Sequence, residues 1–169
     1  TLGMASAQIL TESYTYTAPT AGTTSAQIAT YTTATPNGHS VTYSYTYDDN
    51  GNITSVSDGT NTTSYVYDSA NQLIRENNQA GGYTHTWEYD NAGNIQNRKE
   101  YSYTTGELGT PTDTITYSYS GSDWRDLLTA YDGNTIEYDT IGNPEKYGDW
   151  QMQWQHGRQL ASMTGGDTT

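Results

Sequence analysis

Tyr45-Thr46-Tyr47-Asp48-Asp49-Asn50-Gly51-Asn52-Ile53 comes back twice along the chain, as Trp87-Glu88-Tyr89-Asp90-Asn91-Ala92-Gly93-Asn94-Ile95 and as Ile136-Glu137-Tyr138-Asp139-Thr140-Ile141-Gly142-Asn143-Pro144. The shared pattern is aromatic-x-Tyr-Asp-x-x-Gly-Asn-apolar, with Ile136 and Pro144 as the substitutions at its ends. A second form lies between the copies. Its clearest instance is Tyr65-Val66-Tyr67-Asp68-Ser69-Ala70-Asn71-Gln72-Leu73, where Asn71 stands in place of glycine. Tyr117-Ser118-Tyr119, leading to Asp126-Leu127-Leu128, and Met152-Gln153-Trp154, leading to Arg158-Gln159-Leu160, read as further instances. The closing apolar residue follows Tyr47, Tyr67, Tyr89, Tyr138 and Trp154 by 6 positions, and follows Tyr119 by 8, at Leu127. A fixed period of this kind marks a repeat architecture.

Each motif reads as strand, tight turn, strand. Period-two alternation in Val41-Thr42-Tyr43-Ser44-Tyr45-Thr46-Tyr47 puts Val41 and the tyrosines on one face and the hydroxylated residues on the other. Asp48 opens the turn, because its carboxylate accepts from backbone amides just downstream. Gly51 supplies the positive φ of a type I turn followed by a bulge. Asn71 tolerates the same left-handed conformation. The turn residues expected on these grounds are Asp48, Gly51, Asn52, Asp68, Asn71, Asp90, Gly93, Asn94, Asp139, Gly142 and Asn143. Asp58-Gly59, Asn77 to Gly82 and Asp132-Gly133-Asn134 carry the turns between motifs, and Thr104 to Thr112 reads as a long hairpin loop.

The expected fold is all-β, an extended array of antiparallel hairpins over residues 41–169 with about three two-hairpin units. Residues 1–40 are strand-rich and less regular, with Tyr14-Thr15-Tyr16 as a degenerate copy. Composition agrees. Phe and Cys are absent, whereas Tyr numbers 17 and Thr 31, residue types that favour strands. Hydrophobic content of 32% cannot fill a thick aliphatic core, but it suits a single sheet or a thin layered one. The chain opens Thr1-Leu2-Gly3-Met4 without a basic and apolar leader, as expected of a piece of a longer polypeptide. The stretch Ala161 to Gly166 matches part of a common expression tag, yet it continues the repeat and reads as native.

These motifs resemble the tyrosine-aspartate (YD) repeats of the Rhs family, found in bacterial polymorphic toxins, wall-associated proteins, insecticidal toxin complexes and animal teneurins. The resemblance covers about Tyr43 to Leu160 and rests on the alternation of the Tyr-Asp-x-x-Gly-Asn form with a partner ending in Arg158-Gln159-Leu160 or similar. It implies a long β-sheet coiling into a hollow shell that encloses or displays another domain, in secreted or cell-surface proteins of bacteria. It also implies flanking repeats or an enclosed C-terminal domain as partners, and glycans as possible ligands.

Charge narrows the partners further. The balance of 19 acidic against 6 basic residues gives a net −13, so nucleic acid and anionic membrane surfaces are not expected partners, since phosphate binding needs clustered Lys and Arg. No catalytic or metal constellation stands out, and no cofactor is expected. His39, His85 and His156 lack the helical pairing of zinc proteases. Asp48-Asp49-Asn50-Gly51-Asn52 has its glycine at the fourth position, where a calcium loop needs it at about the sixth. The remaining candidates are aromatic. Trp87, Trp124, Trp150 and Trp154 are expected either in cross-strand ladders or, on the carbohydrate-binding alternative, stacked on sugar rings. Self-association is the last expectation, because unpaired strand edges recruit other strands and the terminal segments Ser13 to Thr17 and Met152 to Gln155, read as such edges, carry neither charge nor proline.

Overall fold

The computed structural model describes residues 10–18, 26–120 and 124–166. They form fourteen strands and no helix: β1 (Thr11–Tyr16), β2 (Ile28–Ala34), β3 (Ser40–Tyr47), β4 (Ile53–Ser57), β5 (Thr62–Tyr67), β6 (Leu73–Asn78), β7 (Tyr83–Tyr89), β8 (Ile95–Ser102), β9 (Asp113–Tyr119), β10 (Leu128–Tyr131), β11 (Asn134–Tyr138), β12 (Pro144–Tyr147), β13 (Trp150–Gln155) and β14 (Gln159–Thr164). They lie in the sheet in chain order. The chain is all-β and built of antiparallel hairpins. It divides into two compact units, one of Thr1–His85 with Tyr101–Thr110 and the other of Thr86–Glu100 with Pro111–Thr169. Residues 19–25 of the Thr-, Ala- and Ser-rich run, and the opening Thr1 to Met4, lie outside the described residues.

In the first unit the exposure of β3 alternates strictly, with Val41, Tyr43, Tyr45 and Tyr47 half-buried and Ser40, Thr42, Ser44 and Thr46 exposed. Tyrosines stack across strands on one face: Tyr14 on Tyr31 with ring centroids 5.0 Å apart, and Tyr31 on Tyr43 at 6.4 Å. Hydroxyls pair on the other face, Thr15 with Thr30 at 2.7 Å, Thr32 with Thr42 at 2.8 Å and Thr46 with Ser55 at 2.6 Å. Such cross-strand pairs, at roughly 0.2–1 kcal/mol each, are the unit of stabilisation in a sheet. They matter here because one apolar side chain among the described residues, Tyr101, is buried.

A polar cluster joins the hairpin loop after β8 to this unit. Arg75 donates from Nε to Asn77 Oδ1 at 2.7 Å, and from Nη2 to the carbonyls of Thr104 at 2.7 Å and Gly106 at 2.9 Å. Thr84 is fully buried, donates to the Thr104 carbonyl at 3.0 Å and accepts from the Thr104 amide at 3.0 Å. Asn77, also buried, donates to Ser64 Oγ at 2.8 Å.

The second unit repeats the design. Asn97↔Thr116 and Lys99↔Thr114 pair β8 with β9, and Tyr117 meets Tyr131 edge-on at 5.2 Å. Cross-strand ion pairs form at the glutamate that precedes each motif tyrosine, Glu88 with Lys99 at 2.6 Å and Glu137 with Lys146 at 3.2 Å.

One feature of register recurs in both units. Tyr47 pairs with Ile53 while Thr46 pairs with Ser55, which leaves Thr54 as a bulge. Ala29, Ile74, Thr129, Glu145 and Ala161 are skipped in the same way, each immediately after the residue across from a motif aromatic. Two expectations change accordingly. Tyr119 pairs with Leu128 rather than Leu127, because the longer turn moves the bulge one residue onward. Met152 to Gln155 is not an edge, since β13 pairs with both β12 and β14.

Candidate functional site

The recurring chemistry of the chain sits at the turns. In the first complete copy the Asp48 amide donates to the Asn52 carbonyl at 3.0 Å and the Gly51 amide to the Asp48 carbonyl at 3.1 Å. Asp48 Oδ1 accepts from the amides of Asn50 and Asn52, both at 2.9 Å, and Oδ2 accepts from Asn52 Nδ2 at 2.9 Å. The carboxylate therefore clamps both ends of the loop. Asp90 is held by Ala92, Asn94 and the Asn94 side chain at 2.8, 2.9 and 3.0 Å, and Asp139 by Ile141, Asn143 and the Asn143 side chain at 3.0, 2.9 and 2.7 Å. Asp68 uses Ala70, Gln72 and the Gln72 side chain at 2.8, 2.9 and 2.9 Å. Gly51, Gly93 and Gly142 have φ of 87°, 87° and 84°, and Asn71 fills the same place at 61°.

These hydrogen bonds set the protonation of the turns. The Asn52 side chain first, then its amide, hold the Asp48 carboxyl below the ordinary aspartate range. The Asn94 side chain leads at Asp90, and the backbone amides of Gln72 and Asn143 lead at Asp68 and Asp139. A carboxylate that accepts several N–H groups stays ionised. Neighbouring turns are also tied together. Asn50 and Asn52 both donate to Asn71 Oδ1, at 3.0 and 2.8 Å, and Asn143 donates to the Gly157 carbonyl at 2.7 Å.

A second link runs between hairpins. The motif aromatic donates to the backbone carbonyl of the residue that closes the preceding hairpin: Tyr47 to Ile28 at 2.9 Å, Tyr67 to Ile53 at 3.0 Å, Tyr119 to Ile95 at 3.0 Å, Tyr138 to Leu128 at 2.7 Å and Trp154 Nε1 to Pro144 at 2.6 Å. Burial pushes the hydroxyls of Tyr67, Tyr119 and Tyr138 up from the usual phenol value, so they remain protonated donors. The repeat is thus a clamp followed by a stitch.

The family model described as RHS Repeat matches residues 47–82, which contain one Gly-Asn turn and the Asn71 turn that follows it. Residues 47–82 are thus similar to an RHS repeat. The Tyr47 and Tyr67 stitches both start inside it, and the Asn52 to Asn71 contact joins its two turns. A chain in the Tc holotoxin pore structure of Photorhabdus luminescens is similar over 95% of this chain and 9% of its own length, with a TM-score of 0.70 and 18% identity. A chain in the TcdB2-TccC3-Cdc42 crystal structure is similar over 89% of this chain and 9% of its own, with a TM-score of 0.55 and 16% identity. This chain therefore spans about a tenth of either neighbour. No curated protein matches the sequence.

Beyond the RHS repeat, the four tryptophans occupy unlike places. Trp154 is half-buried and committed to Pro144, and Trp87 is half-buried on β7. Trp150 lines an open apolar groove of about 370 Å³ with Leu128, Tyr138, Pro144, Met152 and Met163 among others. Trp124 is 52% exposed and borders a smaller hollow with Asp126 and Leu127. Among the described residues no group of three or more His, Asp or Glu is placed to hold a metal ion. Sequence reading missed the side-chain half of the clamp and the stitch. The constant spacing from aromatic to closing residue was the available signal.

Proposed function

We propose that this chain is a structural repeat module of a secreted or surface-exposed bacterial protein, part of a β-sheet wall that encloses or displays another domain of a longer polypeptide. The observation that carries this reading is that the signature residues act on the chain itself. Each turn aspartate is occupied by its own loop, and the motif aromatics from Tyr47 to Trp154 named above are bonded to a neighbouring hairpin. Likeness to chains of Tc toxin assemblies supports the toxin-associated setting. On this reading the module catalyses nothing and holds no cofactor.

A glycan array probed with the whole chain tests the proposal. The expected result is no saturable binding. Saturable binding lost in Trp124→Ala, in Trp150→Ala or in a Trp87→Ala, Trp154→Ala double variant would replace it with the carbohydrate-binding role.

A further inference from the structure

Three tyrosines of the first unit stand directly opposite one another on adjacent strands. Tyr14 on β1 pairs with Tyr31 on β2, and Tyr31 pairs with Tyr43 on β3. Opposed side chains in an antiparallel pair leave the sheet with Cβ atoms about 4.5–5.5 Å apart, so the rings form one row. The planes of Tyr14 and Tyr31 are 28° from parallel at a centroid distance of 5.0 Å, and those of Tyr31 and Tyr43 are 10° from parallel at 6.4 Å. Glu12 lies two residues before Tyr14, on the same face of β1. The register that stacks the rings therefore also brings a carboxylate to the middle one, and the Tyr31 hydroxyl donates to Glu12 Oε1 at 2.8 Å. None of these four residues takes part in a clamp or a stitch. The second unit has a row of another kind, in which Tyr117 meets Tyr131 at 77° and Tyr131 meets Tyr147 at 56°, with no carboxylate bonded to the row's hydroxyls among the described residues.

A phenol that loses an electron becomes a strong acid, so oxidation is easiest where a base already holds the proton and a second ring lies in contact. A base within about 2.6–3.2 Å is in reach of the proton it takes. Tyr31 has both. The Glu12 hydrogen bond first, then burial, hold the Tyr31 phenol above its usual value, so at neutral pH the proton is on the oxygen and available to pass. We propose that Tyr14 and Tyr31 are a site of oxidative cross-linking, joined as dityrosine by a one-electron oxidant of the peroxidase or metal-complex class, with Glu12 taking the phenolic proton of Tyr31. Two oxidising equivalents are consumed, each removing one electron from one phenol. The Tyr31 proton passes to Glu12 and on to solvent, and the Tyr14 proton passes to solvent directly. The two phenoxyl radicals then couple through ring carbons ortho to the oxygens, forming one C–C bond. Each coupled carbon gives up its hydrogen as a proton while its own oxygen regains one, which restores both phenols, so the net loss is two electrons and two protons. The product ties β1 to β2 covalently in a sheet that has little buried core. It goes beyond the structural role proposed above, which requires no covalent bond between strands.

The whole chain, kept dilute, is illuminated with a ruthenium(II) tris-bipyridine complex and persulfate, a pair that removes electrons one at a time. The expected result is blue dityrosine fluorescence from a monomer lighter by two hydrogens, with proteolytic fragments joined at Tyr14 and Tyr31. Tyr14→Phe and Tyr31→Phe keep the rings but remove a phenol, and each should abolish most of that fluorescence. Tyr16→Phe, on the same strand, removes a phenol that is more exposed, 59% against 47% for Tyr14, and should leave the yield unchanged. Glu12→Gln keeps the shape but takes a proton poorly, and should slow formation about tenfold. Absence of dityrosine, a cross-link between chains or at another pair, a yield that survives loss of either phenol, or an unchanged rate in Glu12→Gln would each overturn the proposal. None of these outcomes bears on glycan binding, so the two proposals fail separately.

Discussion

Gly51 and Gly142 share a φ near 85° but not a neighbourhood. A Cβ at Gly51 would meet only Gln27 Nε2 at 3.6 Å, whereas one at Gly142 would lie 2.7 Å from Trp124 Cζ3. Valine at Gly51 should therefore cost about 1–2 kcal/mol, through positive φ alone, and valine at Gly93, where φ is also 87°, should cost at least that. Gly142→Val should cost at least as much and shift tryptophan fluorescence by displacing the Trp124 ring. Gly51→Asn should cost less than half as much as valine, because Asn71 already holds that conformation at 61°. Thermal melts of the four variants check the order. The turn aspartates make a second prediction. Their folded pKa values are lowered by hydrogen bonds, so their stabilisation is complete above the ordinary aspartate value of about 3.9 and is lost as pH falls through the folded values. A chain with Asn at positions 48, 68, 90 and 139 should be less stable at neutral pH and should lose less between pH 7 and about 3, read by urea titration at each pH. The roles of Asp and Gly were legible because backbone conformation dictates them. The Asn52 amide reaching Oδ2 was not, since it depends on a side-chain rotamer across the turn.

At the scale of hairpins, alternation and turn chemistry marked the strand, turn, strand motifs, and the 6-residue spacing located the closing residue wherever the turn was short, whereas the bulge beside it was not read. Where the turn lengthened after Tyr119, spacing alone misplaced the closing residue by one. The docked loop after β8 was legible as a loop but not as a packed one. Its hydrogen bonds join Arg75 to Thr104 and Gly106, and Thr84 to Thr104, residues 20 to 31 positions apart, with no periodic signal to announce them. Thr84→Val tests that packing. It keeps the shape and removes the hydroxyl, leaving the Thr104 amide without its buried partner, and should cost about 1–3 kcal/mol. The measurement is a urea midpoint, with Thr114→Val, exposed on β9 and outside the hydroxyl pairs named above, as a control close to the parent.

For the molecule as a whole, polar stitching takes the place of a deep core, as the 32% hydrophobic content and the buried Tyr101 together require. Its net charge of −13 should hold copies apart at low salt. Screening at a Debye length of about 8–10 Å should relieve that repulsion. Light scattering should therefore rise between about 10 mM and 150 mM salt, and scattering that falls would show attraction between charges instead. Both halves of this account, clamp and stitch, rest on the claim that the repeat signature exists to join hairpins. Tyr67 and Tyr138 each make one stitch, in separate units, and each can lose its hydroxyl with little change of shape. Each substitution should cost about 1 kcal/mol. The melting temperature of a Tyr67→Phe, Tyr138→Phe double variant should therefore fall by roughly 4–8 °C with the β-sheet circular dichroism retained, whereas Tyr45→Phe, whose hydroxyl makes no stitch, should melt with the parent. A double variant that melts with the parent would contradict the claim.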